Sequence, residues 1–465
     1  MRYRARGWRS SRQIVTAPAT VDRDAVAYAV PQPATPQEPL RFGLGLAGLV
    51  LYLWVIHSYK LNAGDIAVIA IGLGVLLRSR KVRVPPQLMV FGLFILWSAF
   101  TLTVTINAAT SAQALIDLIK LWVISFCVIN IVQTAAELRL LTIAWLAVFA
   151  LYPIRGALFN HFICRCSEGG RVAWNFVFEN PNDLAALSLF PIGVAAALAV
   201  VERGRLYKLC ARIGVAVLAL VILMTQSRGA MIAMGVAVIA LLVSSRRRGR
   251  DLLVLIVVGG GAAIIAPKDV WVRLSGLANV SAEADMVNVD PEGSAEGRWI
   301  LWEIAGGVVR DNPLTGIGVG TMPEMNRRIA QQQNAISSVR GDRDTHNTYL
   351  RVAAELGIPG LLIYLVMWGF AIAKLRQARA ATRHVRPREH QFLTFLQMSI
   401  AAFLAASVFG TYSSLSFTYL ALAYIWLASD ILSRESWYVP TSRNAIAGAP
   451  NDFEPKSGPR LRRAL

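Results

Sequence analysis

The chain has 465 residues, of which 55% are hydrophobic and 16% are charged, with a mean hydropathy of +0.49. A soluble globular domain carries about 25% charged residues, so this composition excludes an ordinary soluble fold. The net charge of +19 would suit nucleic acid. However, no basic patch alternates with aromatic residues that could stack on bases, so we predict no nucleic-acid partner.

The apolar residues form continuous runs rather than alternating patterns, which favours membrane-spanning helices over a β-barrel. A span needs about 20 apolar residues, fewer where a helix is short or oblique. Twelve runs qualify, near residues 41–58, 62–78, 87–106, 112–133, 137–156, 183–201, 208–225, 229–245, 251–267, 357–375, 391–411 and 414–432. The sequence therefore predicts an all-α polytopic membrane protein with about 12 transmembrane helices.

Basic residues collect in blocks between the apolar runs, and all of these blocks fall on one side of the membrane if the N-terminus is cytoplasmic. The blocks are 78–83, 202–208, 246–250 and 374–388. This predicts that both termini are cytoplasmic. The predicted segments are a disordered basic N-terminal tail (1–40), spans one to nine (41–267), a large outside loop (268–356), spans ten to twelve (357–432) and a C-terminal tail (433–465).

The large outside loop contains two helical patterns. "SAEGRWILWEIAGGVVRDNP" predicts a helix with Ser294 as N-cap that ends before Pro313. "THNTYLRVAAELG" predicts a helix capped by Asp344 or Thr345 that ends at Gly357. Between them, "GIGVG" at 316–320 lacks the strand–loop–helix context of a dinucleotide site, which favours a turn.

Isolated arginines on the outside face oppose the positive-inside bias, so they do not set the topology. They are Arg155, Arg171, Arg228 and Arg298. One interpretation is contact with lipid headgroups or ion pairing with nearby acids. The alternative is binding of a lipid-linked phosphate or pyrophosphate, because guanidinium groups match phosphate oxygens. In "ENPNDLA", Asn182 or Asp183 could cap the next helix, and Asn180 or Asn182 could touch a polar substrate.

His346 begins the second helical pattern of the outside loop. It could simply bond a neighbouring carboxylate. A helix N-terminus and nearby arginines both disfavour imidazolium, however, so a neutral imidazole could act as a general base.

Metal binding is not favoured by the polar loop that contains His161, Cys164 and Cys166, because a fourth ligand and the C-x-x-C spacing are missing. A loop disulfide or free thiols suit the two cysteines better. No P-loop, G-x-S-x-G or H-E-x-x-H pattern occurs. We therefore predict neither a metal nor a cofactor.

Four segments together resemble the O-antigen ligases of bacterial lipopolysaccharide assembly, within a superfamily that includes O-antigen polymerases and protein O-oligosaccharyltransferases. The segments are "GGRVAWNFVFENPNDLA", "TQSRGA", "GRWILWEIAGGVVRDNPLTGIGVG" and "HNTYLRVAAELGIPG". They run from about residue 170 to about 365, in the order that the family shows.

The resemblance implies a GT-C-like glycosyltransferase of the inner membrane with a large periplasmic loop. It implies transfer of a glycan from undecaprenyl pyrophosphate to a sugar hydroxyl of lipid A–core, by inversion and without metal or ATP. His346 matches the family's loop histidine, and Arg228 and Arg298 match its two essential arginines. Arg171 matches less closely, and Arg155 lies in no family motif.

Two alternatives remain from the sequence. A polymerase or protein O-oligosaccharyltransferase would use the same lipid-linked donor. A transporter of an anion or lipid-linked glycan would place charged residues mid-membrane on broken helices. The obvious mid-span charges here are Asp117 and Lys120, whereas the candidate site residues lie outside, which favours an enzyme. The oligomeric state is not predicted.

Overall fold

The computed structural model describes residues 42–58, 63–78, 81–166, 170–244, 249, 252–253, 294–332 and 343–437. Within these residues every secondary-structure element is helical. The predicted N-terminal tail, most of the predicted C-terminal tail, most of the predicted span 251–267 and part of the predicted outside loop lie outside the described residues.

Fourteen α-helices are described, and we number them in chain order. They are α1 (Leu44–Ser58), α2 (Gly64–Leu76), α3 (Pro86–Phe100), α4 (Ala108–Ile131), α5 (Ala135–Phe149), α6 (Arg155–Phe159), α7 (Pro181–Val201), α8 (Arg205–Met224), α9 (Arg228–Ser244), α10 (Ser294–Asp311), α11 (Met322–Gln332), α12 (Thr348–Thr382), α13 (Pro387–Ala406) and α14 (Ser416–Arg434). Two π-helical turns, Ala150–Ile154 and Asn160–Cys164, join α5 to α6 and extend α6.

Among the described residues, seven helices are long and apolar enough to cross a membrane, which confirms a polytopic membrane protein. They are Pro86–Thr103, Ala108–Ile131, Ala135–Cys164, Pro181–Val201, Arg205–Met224, Thr348–Thr382 and Ser416–Arg434. Three shorter apolar helices, α1, α2 and α9, also stand at predicted spans. The count of twelve spans and the GT-C assignment stay predictions.

The last helix, α14, forms the centre of the described bundle. Within its apolar window 83% of the residues are buried, against 22% in α8 at the periphery. Small residues let helices approach closely, which is how helices associate in lipid. At the crossing of α1 and α2, a Cβ on Gly74 would lie 2.1 Å from the Cα of Gly45.

On the predicted cytoplasmic side, residues of the basic blocks pair with acids of the bundle. Asp430 of α14 accepts from Arg83 at 3.1 Å and from Lys374 at 3.2 Å. The Glu202 side chain, at the end of α7, pairs with Arg139 of α5. These pairs join helices that are distant in sequence.

Two predicted helix caps are wrong by a few residues. Asn347, rather than Asp344 or Thr345, caps α12, and its side-chain oxygen accepts from two backbone N–H groups of the first turn. Asn180, rather than Asn182 or Asp183, caps α7, with Pro181 as the first helical residue. In both places several capping residue types stand close together, and backbone conformation decides among them.

Candidate functional site

His346 stands at the entrance to α12. Its backbone has φ 51°, a left-handed conformation that histidine adopts more readily than most residues. The next residue, Asn347, accepts from the N–H groups of Tyr349 and Leu350 at 3.0 Å each. Thr348 N–H donates to the carbonyl oxygen of Ser407 at 2.9 Å, so the helix start is fixed to the loop between α13 and α14.

The surroundings of His346 lower the pKa of its imidazole below the ordinary value of 6.5. Burial is the largest cause, and the positive charges of Arg298 and Arg343 act in the same direction. Asp344 opposes them. The imidazole is therefore neutral at pH 7 and able to accept a proton.

Asp183 and Tyr412 contact each other and share two charged neighbours with this histidine. The Tyr412 hydroxyl donates to Asp183 Oδ1 at 3.3 Å. Arg298 and Asp344 interact electrostatically with both residues, and also with His346. Burial raises the pKa of the Tyr412 hydroxyl well above its usual value, so it stays protonated and remains a donor. These five residues form what we call the His346 cluster.

Arg228 lies next to the same loop as the His346 cluster. One turn after Arg298 on α10, the ring of Trp302 lies 6.5 Å from that of Phe409. Phe409 also packs on Gly229, where an added Cβ would lie 2.7 Å from the Cβ of Phe409. Gly229 directly follows Arg228, so a residue next to each of the two arginines in its helix contacts the same aromatic side chain of the 407–415 loop.

Arg171 connects the start of α7 to the turn before Arg228. Its Nε donates to the carbonyl oxygen of Thr225 at 2.9 Å, and its Nη2 donates to Oδ1 of Asn182 at 2.9 Å. The backbone of Val172 adds a hydrogen bond to Met224 at 3.1 Å. The structure thus joins Arg171 and Asn182 to each other, beside Asp183 of the cluster.

Arg155 lies at a different place. It is exposed on the first turn of α6 and lines a cavity of about 280 Å³. The other lining residues are Leu151, Tyr152, Gly156, Phe159, Asn160, Trp174 and Asn175. None of these lining residues is another predicted site residue. This cavity therefore does not bring Arg155 together with them.

The "GIGVG" segment is a turn, as predicted, and it supports α12. Ile317 N–H donates to the carbonyl oxygen of Ala354 at 3.0 Å, and Gly318 N–H donates to that of Glu355 at 2.9 Å. Gly316 has φ 66°, and a Cβ there would lie 2.3 Å from the backbone of Glu355. Glycine is required because two backbones touch in a left-handed conformation.

Asp183 and Tyr412 were missed as site residues by sequence reasoning. The sequence pattern indicates Asp183 only as a possible helix cap and indicates no role for Tyr412. The available signal was a tyrosine in the short outside loop 412–413, opposite an acid at a span start.

Cys164 and Cys166 form a disulfide. In the described part of the chain, no three His, Cys, Asp or Glu side chains are grouped as metal ligands.

The fold and the cluster define a polytopic membrane protein with a neutral histidine and arginines at the ends of its helices. Residues 213–365 match the family model described as O-Antigen ligase, which supports the resemblance that the motifs predicted. The match contains Arg228, Arg298 and His346. No curated protein matches the chain. The domain supports a ligase- or polymerase-type glycosyltransferase activity on lipid-linked glycans.

Proposed function

We propose that this protein transfers O-antigen polysaccharide from undecaprenyl pyrophosphate to a sugar hydroxyl of lipid A–core. The reaction inverts the anomeric centre, uses no metal or ATP, and takes place at the periplasmic face of the bacterial inner membrane. The observation that carries this proposal is the lowered pKa of His346 next to Arg298, within a family that acts on lipid-linked glycans.

His346 is the proposed general base. As the acceptor oxygen attacks the anomeric carbon, its proton passes to the neutral imidazole, and the bond from that carbon to the pyrophosphate oxygen breaks. The electron pair leaves with the pyrophosphate. Attack from the face opposite the leaving group inverts the configuration.

Arg228 and Arg298 are the proposed partners of the leaving group. Charge on the pyrophosphate grows as the bond breaks, so guanidinium groups fixed beside it stabilise the transition state more than the ground state. Arg298 has a second effect, because its charge also lowers the pKa of the base.

Arg171 and Asn182 are proposed to support donor binding by fixing the turn before Arg228, since their side chains are bonded to each other and to that turn. Arg155 is proposed to contact the donor lipid. It stands at one end of an apolar groove of about 450 Å³ between α5, α7 and α8. An arginine above an apolar groove suits a lipid with an anionic head.

The test is purified protein in lipid nanodiscs with undecaprenyl-pyrophosphate-linked glycan and either lipid A–core or an acceptor peptide. We expect glycan on lipid A–core and release of undecaprenyl pyrophosphate. Transfer to the peptide would instead assign protein O-glycosylation. Extension of the lipid-linked glycan would assign a polymerase. In the host, loss of the protein should give rough lipopolysaccharide while lipid-linked polymer accumulates.

A further inference from the structure

A polar stripe runs along the outer half of α4, although α4 is apolar enough to cross a membrane. Gln113, Asp117 and Lys120 are spaced to lie on one helix face, and both Gln113 and Lys120 bond Asp117 Oδ1, at 3.2 and 3.3 Å. The side chains of Asp117 and Lys120 are 54% and 63% exposed. Ionisable groups are costly within a span and usually mark a functional site.

A cavity of about 280 Å³ opens next to this stripe, between α4 and α12. Its polar lining comes from Asp117, Gly320, Arg351, Glu355, Ser413 and Ser414. Its apolar wall includes Phe94 of α3 and Leu118 of α4. The cavity therefore combines hydroxyl and carboxylate groups with an apolar surface.

The cavity adjoins the His346 cluster through two of its lining residues. Arg351 donates from Nη1 to the carboxylate of Asp344 at 2.9 Å, and Asp344 is a cluster member two residues before His346. Ser413 directly follows Tyr412, another cluster member. The cavity is thus linked to the cluster by one ion pair and by one peptide bond.

The charge of the lining distinguishes this cavity from the arginine-rich surroundings of Arg228 and Arg298. It presents two carboxylates, Asp117 and Glu355, and one guanidinium, Arg351. That guanidinium is already engaged, with Nε bonded to Glu355 at 2.8 Å. Both carboxylates are paired, Asp117 with Lys120 and Glu355 with Arg351, so the lining offers a pyrophosphate no free cation, while carboxylate oxygens can still accept hydrogen bonds from sugar hydroxyls.

We propose that this cavity is the acceptor subsite. A sugar of the lipid-anchored acceptor enters it sideways from the bilayer between α4 and α12, and its hydroxyls bond Asp117 and the serines of the 413–414 turn. The acceptor sugar then approaches His346 from this cavity, and the pyrophosphate approaches it from the side of Arg228 and Arg298. This inference rests on the proposed transfer to lipid A–core.

The kinetic test varies lipid A–core and undecaprenyl-pyrophosphate-linked glycan separately. For Asp117→Asn we expect the KM for lipid A–core to rise about fivefold to tenfold, as exchange of a charge-assisted hydrogen bond for a neutral one predicts, with the donor KM and kcat unchanged. Ser414→Leu, which fills the cavity from the loop, should act in the same direction. Asp65→Asn is the matched control, because Asp65 is an exposed acid in the first turn of α2. Thermal unfolding of each variant checks folding.

A second arm places a photoreactive amino acid at position 117 or 65 and adds lipid A–core alone. We expect a crosslink to lipid A–core from position 117 and none from position 65. An unchanged acceptor KM in folded Asp117→Asn, or no crosslink at position 117, overturns the acceptor subsite. Absence of transfer by the wild-type protein overturns the proposed function instead, and the crosslink still decides what the cavity binds.

Discussion

The guanidinium of Arg171 donates a 2.9 Å hydrogen bond to the side-chain oxygen of Asn182, while its Nε donates to the carbonyl of Thr225 at the same distance. One side chain therefore connects the start of α7, which carries Asp183, to the turn before Arg228. This contact couples two segments that are far apart in the sequence.

Arg171→Lys should lower transfer by about tenfold or more, because an ammonium group cannot bridge both acceptors as the planar fork does, and hydrogen bonds from charged groups contribute about 1.5–3 kcal/mol each. The measurement is transfer to lipid A–core together with thermal unfolding. Arg383→Lys is the control, because Arg383 is exposed in the turn after α12, away from the proposed site, and the variant should retain transfer. Equal losses in the two variants would contradict a bridging role.

His346→Ala should abolish transfer while the protein still inserts and unfolds at nearly the wild-type temperature, because the base is lost and the Asn347 cap remains. His384→Ala is the matched control, since His384 is exposed in the turn after α12. The assay is glycan transfer by purified protein. Retained transfer in His346→Ala would remove this histidine from the mechanism.

The positions of the helices could be predicted from the sequence because each depends on a local apolar run. The wrong caps show where local information ends. Asn347, rather than Asp344 or Thr345, is the cap; His346 before it is left-handed, and Thr348 after it is bonded to Ser407 of a distant loop. The Asp183–Tyr412 pair joins residues 229 positions apart, and no local pattern in a single sequence encodes such a contact.

The pH dependence of transfer should follow the lowered pKa of His346. The base works in its neutral form, so activity is complete above the ordinary pKa of 6.5 and falls only as the pH drops through the lowered value. Arg343→Gln removes one charge that lowers this pKa, so the pKa rises and the acid limb should move to higher pH, with no change at pH 8. Arg383→Gln, an exposed arginine in the turn after α12, should leave the limb in place. Movement of the limb to lower pH in Arg343→Gln would exclude His346 as its source.

Gly357→Ala should destabilise the protein by about 1–3 kcal/mol or more, as overpacking of a close contact does. Gly357 kinks α12 with φ 69°, and an added Cβ would lie 2.3 Å from the carbonyl oxygen of Leu314. Gly369→Ala on the same helix meets nothing within 4 Å and should be neutral or stabilising. Thermal unfolding in detergent measures both, and similar unfolding temperatures would show that the kink tolerates a side chain.

Tyr412→Phe should lower transfer by about threefold to tenfold. The hydroxyl donates to Asp183, and without it that carboxylate must draw more strongly on Arg298, which then orients less well toward the pyrophosphate. Tyr424→Phe is the matched control, because it also loses a buried hydrogen bond, to Thr142 at 2.7 Å, but within the central bundle. Each substitution should cost about 1 kcal/mol of unfolding free energy, so stability alone cannot separate them. Only Tyr412→Phe should change the donor KM or kcat. An equal kinetic loss in Tyr424→Phe would show that the Asp183–Tyr412 contact has only a structural role.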